Sequence, residues 1–412
     1  VKIGIDISVL YIAGAGVFYY RYNLIKALLA LSSPHDYVLL DYSPVEGDWV
    51  RNDPSELRLL LQRPVEVRRV RGLKHRKLAR VGLVQRRGMV SLANRVDTLL
   101  DGSWRRLIRA ERERRLRNHL SDVQVFHSSD VLNWAVPGAR NVTTIHDLTA
   151  LLYPEYHTQR VRDALASKFR FAREEAQAVI AVSESAKRDA VEHLGLDPAR
   201  VFVVHNGVDA GFRPLPRTKA AHDLRRFGLT PGEYLLYLGT IEPRKNLVRL
   251  VQAYKRLRQS AGPVPRLVLA GAKGWMVDEV ELEVSKLNLE SEVCFLGRVD
   301  GAYLTALYNG AVCFLYPSLY EGFGLPVLEA MACGTPTLTS RSSSLPEVAG
   351  DAAVLVDPMD VKAMAEGMEV LLLDRDRAAV LRQRGLERAR RFTWEETARK
   401  TLRVYEGGRV DD

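Results

Sequence analysis

Two carboxylates eight residues apart, Glu321 and Glu329, frame the segment Glu321-Gly-Phe-Gly-Leu-Pro-Val-Leu-Glu329. Ionised carboxylates accept paired hydrogen bonds, which suits the hydroxyls of a sugar or a ribose. The segment follows an apolar run, Val312-Cys-Phe-Leu-Tyr316, and leads into a helix-like stretch over 326–333. Strand, polar loop and helix start in that order leave free N–H groups facing an anion. Gly322 and Gly324 let the backbone come close to a ligand, because no side chain intervenes. Glu329 falls about one turn inside the helix and points back toward its start. One carboxylate at the mouth and one behind a phosphate seat would suit a sugar joined to a nucleotide. The competing account is a glycine-rich loop whose glutamates are solvated or cap the helix. The Gly-Phe-Gly interior and the following Pro-Val-Leu-Glu-Ala argue against it.

A second element, Gly239-Thr-Ile-Glu-Pro-Arg-Lys-Asn246, follows the apolar run 234–238 and precedes an amphipathic stretch from Leu247. This order predicts Arg244 and Lys245 at a helix start, where the dipole already favours a phosphate. Arg engages phosphate oxygens in pairs, and Lys adds a compact charge for a β-phosphate leaving group. Surface charge is the bland alternative. His146-Asp147 ends another strand-like run, 142–145, where an imidazole could hydrogen-bond a sugar hydroxyl. Ser183 and the run Asn206-Gly-Val-Asp209 also follow strand-like runs, and there turn formation or helix capping competes equally with ligand contact.

These segments together resemble the family 4 retaining glycosyltransferases of GT-B fold, along nearly the whole chain and most strongly over 142–357. The resemblance implies transfer of a sugar from a nucleotide diphosphate to a hydroxyl acceptor, without a metal ion or other cofactor. It implies His146, Glu321, Lys245 and Arg244 as the catalytic group. Donor contacts would come from Gly16, Gly239, Thr240, Arg244, Lys245, Gly271, Arg298, Val299, Glu321, Gly322, Phe323, Gly324, Leu325 and Glu329. Thr240 stands where many members carry arginine, which leaves Arg244 as the second cation. The first glycine loop aligns two ways around Gly14-Ala-Gly16, and Gly16 is favoured near the reacting centre. Phe18, Tyr19, Tyr20 and Tyr22 behind it either shape an acceptor site or form a packed helix face. The segments around 145–156 and 239–247 look most like mannosyltransferase members using GDP-mannose, with a glycan or lipid-linked glycan as acceptor. UDP-sugar use remains the alternative. Other classes kept open are a nucleotide-sugar epimerase or phosphorylase of the same fold, and a protein that binds sugar nucleotide without turnover.

Stepping outward, thirteen short β-rich runs alternate with amphipathic stretches, a pattern of parallel α/β architecture. The proline-marked stretch 212–218 reads as a linker. Two Rossmann-like, doubly wound domains facing each other across a cleft are expected at 1–212 and 213–391. A helical tail at 392–412 would cross back to the first. Ligands of such sheets bind beyond the C-terminal strand ends. Glycines end three strand-like runs in a row, at Gly239, Gly271 and Gly297, which reads as a nucleotide shelf or as three tight turns.

At 412 residues, 47% hydrophobic and 27% charged, the chain has a globular composition and enough length for two domains. No apolar run is long enough to cross a bilayer, and Val1-Lys-Ile-Gly-Ile-Asp6 reads as a strand, not a signal peptide. The Val1 start suggests a processed or trimmed chain. Cys294, Cys313 and Cys333 lack metal or disulfide spacing, consistent with a reducing cytoplasm. Net charge is +10, and 68–117 alone carries seventeen Lys/Arg against four acids. Interleaved with Leu, Val and Trp104, that block suits an anionic membrane surface or polyanion, or is a solvated helical face. Nucleic acid is a weaker candidate, since no recognised module frames the block. A cytoplasmic enzyme resting on the inner membrane face is the expectation. Asp374-Arg-Asp376 lies in a charged helical stretch and reads as solvated surface, not a metal–nucleotide site.

Overall fold

The computed structural model describes residues 1–11, 16–43, 60, 65–71, 114, 118–130, 133–274 and 278–408. Most of the basic block 68–117, with the glycine loop 12–15, lies outside them.

Among the described residues thirteen strands form two parallel sheets. The first orders β3-β2-β1-β4-β5-β6-β7 and the second β10-β9-β8-β11-β12-β13. The first sheet takes β1 (Lys2–Asp6), β2 (Asp36–Ser43), β3 (Glu66–Arg71), β4 (Val125–His127), β5 (Arg140–Ile145), β6 (Ala178–Ala181) and β7 (Val201–Val203). The second takes β8 (Tyr234–Leu238), β9 (Arg266–Ala270), β10 (Val293–Gly297), β11 (Phe314–Tyr316), β12 (Thr337–Ser340) and β13 (Val354–Val356). The central strands β5, β6 and β8 have almost no exposed residue, which is why they read as continuous apolar or β-branched runs.

Helices in chain order are α1 (Gly16–Leu28), α2 (Thr149–Leu152), α3 (Gln159–Glu174), α4 (Glu184–Leu194), α5 (Arg217–Leu224), α6 (Leu247–Ala261), α7 (Asp278–Lys286), α8 (Gly301–Gly310), α9 (Leu325–Ala332), α10 (Leu345–Ala349), α11 (Val361–Leu373), α12 (Arg375–Ala389) and α13 (Trp394–Glu406). Several starts carry their own caps. Ser183 accepts from the Ala186 N–H, Thr393 from Glu396 and Asp360 from Ala363. Asp374 caps α12 through the Arg377 N–H, which gives that surface acid a structural task.

In each sheet the order reverses beside the first strand, between β1 and β4 and between β8 and β11. Such a switch point opens a crevice at the C-terminal strand ends. The two crevices face each other. Ser183 Oγ donates to the Gly322 carbonyl at 2.7 Å, and Tyr320 donates to Asp189. A Cβ on Gly322 would lie 1.7 Å from the His146 carbonyl oxygen, so only glycine fits there.

The last helix returns to the first sheet. α13 packs on α1, and the Tyr405 hydroxyl meets His127 Nδ1 at 2.6 Å. Gly207 passes so close to its start that a Cβ would sit 2.2 Å from the Trp394 nitrogen, which explains the Asn-Gly pair at this bend. The stretch before α5 docks on α8, where Asn309 Oδ1 accepts from the Leu215 N–H. Of the aromatic run on α1, Phe18 and Tyr20 are buried in packing and Tyr19 is exposed.

Candidate active site

The second crevice holds a buried charged cluster. Lys245 Nζ donates to Glu321 Oε1 at 2.6 Å and to the Tyr316 hydroxyl at 2.8 Å. Arg244 spans Glu321 Oε2 at 2.9 Å, Glu242 Oε1 at 2.6 Å and the Tyr320 carbonyl at 2.7 Å. Two local segments are thus stitched into one seat. The Leu319 N–H donates to the Arg244 carbonyl, and Asn246 Nδ2 reaches the Pro317 and Pro358 carbonyls. Ser343 Oγ accepts from the Glu321 N–H, while Ser344 Oγ donates to the Glu321 and Phe323 carbonyls.

α6 begins at Leu247, as the sequence suggests, and Arg244 and Lys245 lie just ahead of it. They form a 3-10 turn, Pro243–Lys245, closed by Asn246 in the left-handed region at φ 62°. The Lys245 and Asn246 N–H groups already donate to Glu242 and Pro243 carbonyls. Side chains, not helix-start amides, therefore supply the positive charge at this turn.

Burial alone would raise the Glu321 carboxyl, yet Arg244 and Lys245 together hold it down to about 2. Burial would lower the Arg244 guanidinium, and Glu321 and Glu242 outweigh it, so it is raised. Lys245 is pulled below its usual range, chiefly by burial and next by Arg244, against the attraction of Glu321. The pair is asymmetric because the lysine faces a second cation and the carboxylate faces two.

Glu329 stands apart from this cluster. One oxygen accepts from the Tyr308 hydroxyl at 2.8 Å. Burial raises its carboxyl to about 7, against the Tyr308 hydrogen bond and helped by Asp209. Phe323 packs its ring against His205 and Phe392 at about 6 Å, so this residue offers only backbone to the crevice. Leu325 opens α9 behind Gly324, whose φ is 110°.

Two of the three strand-exit glycines have packing reasons of their own. A Cβ on Gly271 would lie 1.8 Å from the Gly239 carbonyl oxygen, and one on Gly239 would lie 2.8 Å from the Tyr237 hydroxyl. Gly297, at φ 70°, has open space beside its missing Cβ. Thr240 is exposed and lends its carbonyl to the Tyr237 hydroxyl. Arg298 is exposed and Val299 half-buried between β10 and α8.

The first crevice gathers polar groups from β1, β4 and β5. His146 follows β5, its ring edge-on to Tyr20 at 4.7 Å between centroids. Its Nε2 lies 3.5 Å from Asp130 Oδ2, and Asp130 Oδ1 is paired with buried Lys168. Asp6 is fully buried and accepts from Ser8 and Ser129. Arg21 is 1% exposed, and it donates Nη2 to the Ser128 carbonyl at 2.6 Å. Gly16 opens α1 with no atom near its missing Cβ. Asp147 is spent locally, accepting from the Thr149 N–H and hydroxyl.

Asp130, Lys168, Ser343, Ser344 and Glu347 escaped the reading of motifs. For Asp130 a signal existed, since Ser128-Ser129-Asp130 leaves β4 as His146-Asp147 leaves its neighbour β5. For the others the contacts are tertiary, with no local pattern to announce them.

Two parallel sheets with facing switch-point crevices, one holding a buried cluster of two cations and two carboxylates, define an α/β enzyme of GT-B architecture. The family described as Glycosyltransferase Family 4 matches residues 57–212, and Glycosyl transferases group 1 matches 225–388. O-antigen chain mannosyltransferase B of Escherichia coli is 35% identical over 267 residues, 65% of this chain and 70% of that protein. Serotype-specific mannosyltransferase WbdA, also of Escherichia coli, is 33% identical over 275 residues, 65% of this chain but only 33% of the longer relative. Among solved structures, the sucrose-phosphate synthase of Thermosynechococcus elongatus superposes with a TM-score of 0.70 over 98% of both chains at 21% identity, a likeness of fold. The chain belongs to the family 4 glycosyltransferases and is a glycosyltransferase similar to the mannosyltransferase members. Among the described residues no helix is long and apolar enough to cross a membrane.

Proposed function

We propose that this enzyme is a retaining mannosyltransferase that takes GDP-mannose and mannosylates a glycan or lipid-linked glycan hydroxyl, without a divalent ion. The reading is carried by the Arg244–Lys245–Glu321 cluster, which faces the His146 backbone across the Gly322 contact. The incoming diphosphate takes the two cations, and Glu321 turns from them to the sugar hydroxyls. Backbone N–H groups around Phe323-Gly324-Leu325, at the start of α9, add hydrogen bonds to the phosphate. His146 contacts the sugar from the other side, and Glu329 holds the ribose diol.

In the reaction, the bond from the anomeric carbon to the phosphate oxygen breaks. The bond to the acceptor oxygen forms on the same face, and the departing phosphate takes the acceptor proton. Lys245 and Arg244 stabilise the charge that collects on the leaving group, a contribution of about 2–4 kcal/mol for one such donor. The two cations occupy the role that a divalent ion fills in other nucleotide-sugar chemistry. The basic segment 68–117 would hold the enzyme on an anionic cytoplasmic membrane face, where a lipid-linked acceptor is met.

The deciding experiment is a thermal-shift screen against GDP, UDP, ADP and their sugar conjugates, with and without EDTA. A selective upward shift with GDP and GDP-mannose, unchanged by EDTA, supports the donor and the metal independence. A selective shift with UDP ligands overturns the donor. Product NMR with GDP-mannose and an oligomannoside primer then reads the linkage, and a β-anomer would overturn retention.

A further inference from the structure

Outside the donor seat, a part-buried carboxylate is clamped by a buried lysine and lies beside the imidazole of His146. Asp130 leaves β4 next to the exit of β5, so its side chain and that of His146 are neighbours at the switch point. Lys168 is 2% exposed, reaches across from α3 and takes Asp130 Oδ1. Oδ2 is left facing His146 Nε2 at 3.5 Å. Nε2 is itself shut off from solvent and has no other hydrogen-bond partner.

That arrangement decides which ring nitrogen carries the proton. A lone pair on Nε2 would lie 3.5 Å from a carboxylate oxygen, and no donor hydrogen-bonds to Nε2 to relieve the repulsion. Lys168 is held on the far oxygen, and Arg21, the other cation acting on His146, gives Nη2 to Ser128. His127 engages Tyr405 and Thr144 through its two nitrogens, and the hydroxyl of Tyr20, whose ring meets His146, pairs with Thr144. With the proton on Nε2, the only polar atom of the ring left to act is Nδ1, and it is an acceptor.

We propose that Asp130, clamped by Lys168, is a positioning residue that fixes His146 as the Nε2–H tautomer and so presents Nδ1 as the acceptor for a donor-sugar hydroxyl. The last clause rests on the function proposed above; the tautomer does not. The device parallels a carboxylate that orients a reactive histidine elsewhere in enzymology, with the buried lysine replacing solvent as the counter-charge.

The test uses the full chain labelled with 15N-histidine, reading long-range proton–nitrogen correlations, with His146 assigned by loss of its signals in His146→Gln. Wild type is expected to show Nε2 protonated and Nδ1 bare. In Asp130→Asn, Lys168 keeps the amide oxygen and the NH2 group faces Nε2, so the tautomer inverts. Turnover then drops by about tenfold or more while donor KM moves by less than about threefold, the signature of a mis-set orienting group. Asp130→Glu should retain the wild-type tautomer and recover part of the turnover. A bare Nε2 in wild type overturns the proposal before any variant is made. An unchanged tautomer in a folded Asp130→Asn overturns it as well. Inversion with full turnover keeps Asp130 as the orienting group and strikes out the sugar contact, along with the role given to His146.

Discussion

The two crevices that face each other are built from opposite balances. In the second sheet's crevice the charges satisfy one another. Two cations lie on two carboxylates, with Tyr316 and the Tyr320 carbonyl taking further bonds. In the first sheet's crevice donors outrun their partners. Arg21 is fully buried with Nε and Nη1 unmatched, and His146 Nε2 has only a long approach to Asp130. A satisfied cluster admits an anion only by exchange, since Glu321 must release the cations as phosphate arrives. Loss of a member should therefore damage folding as well as turnover in the second crevice, because breaking a buried pair strands the remaining charge.

Lys245→Ala tests that exchange most severely. Turnover should fall about 10²–10³-fold, as expected for removing one group that stabilises leaving-group charge. Stability should fall too, by about 3–5 kcal/mol, since Arg244 alone must then serve Glu321. Chemical denaturation and an initial-rate assay measure the two effects separately. A variant with unaltered rate removes Lys245 from the chemistry and leaves it a structural ion.

Glu329 sharpens the contrast, because the second crevice contains one carboxyl outside the balance. Its folded value of about 7 lies above the ordinary 4.5. Below the ordinary value both folded and unfolded chains hold the proton. As pH rises from 4.5 to 7 the unfolded chain releases it first, so stability is lost across that window and levels off above it. The loss is at most about 3 kcal/mol, less where water reaches the carboxylate. Glu329→Gln keeps an acceptor for Tyr308 and removes the titration. It should match wild type near pH 4.5 and exceed it in Tm at pH 8. On the proposed function it should also bind GDP more weakly, which calorimetry would read.

How far this was legible beforehand follows from where each contact originates. The thirteen described strands were visible: inner ones such as β6 and β8 because parallel strands buried on both faces must be continuous apolar or β-branched runs, and the charged edge strand β3 only through its valines. Glu321 and Lys245 were visible because glycine and proline marked their loops. The 3-10 turn at Pro243–Lys245 was missed. The helix start at Leu247 was legible from the amphipathic run, but the tight turn that Pro243 and Asn246 impose just ahead of it was not read. The strand-exit glycines suggested room for a ligand; the structure fills that room beside Gly239 and Gly271 with a tyrosine and a neighbouring carbonyl, and leaves it open beside Gly297. Lys168 and Asp130 are 38 residues apart on different elements, and no spacing rule joins them.

Steric closure gives a smaller and more local test. Gly322→Ala inserts a methyl 1.7 Å from the His146 carbonyl oxygen, and that backbone atom has no rotamer to yield. The two crevices must separate, at about 1–3 kcal/mol by the usual cost of overpacking. Small-angle scattering should report a larger radius of gyration than wild type, and turnover should fall. Equal radii with reduced turnover would confine the effect to the loop.

Glu347 holds the same closure by attraction. From α10 it accepts the Glu184 and Ser185 N–H groups at the start of α4, at 2.8 and 3.3 Å, and meets His205 Nε2 at 2.6 Å. Burial disfavours its charge, but His205 and those N–H groups outweigh the penalty and hold the carboxyl below its usual range. It therefore acts as an N-terminal cap lent by one sheet to a helix of the other. Glu347→Gln keeps the shape and removes the charge, so the closure should weaken by only about 1 kcal/mol. Because the carboxyl is depressed, its stabilisation is present above about pH 4.5 and disappears as acid protonates it. The difference in Tm between wild type and Glu347→Gln should consequently shrink toward zero in acid, whereas the Gly322→Ala defect, being steric, should persist at every pH. If both defects vary alike with pH, the attraction across the cleft does not come from this carboxylate.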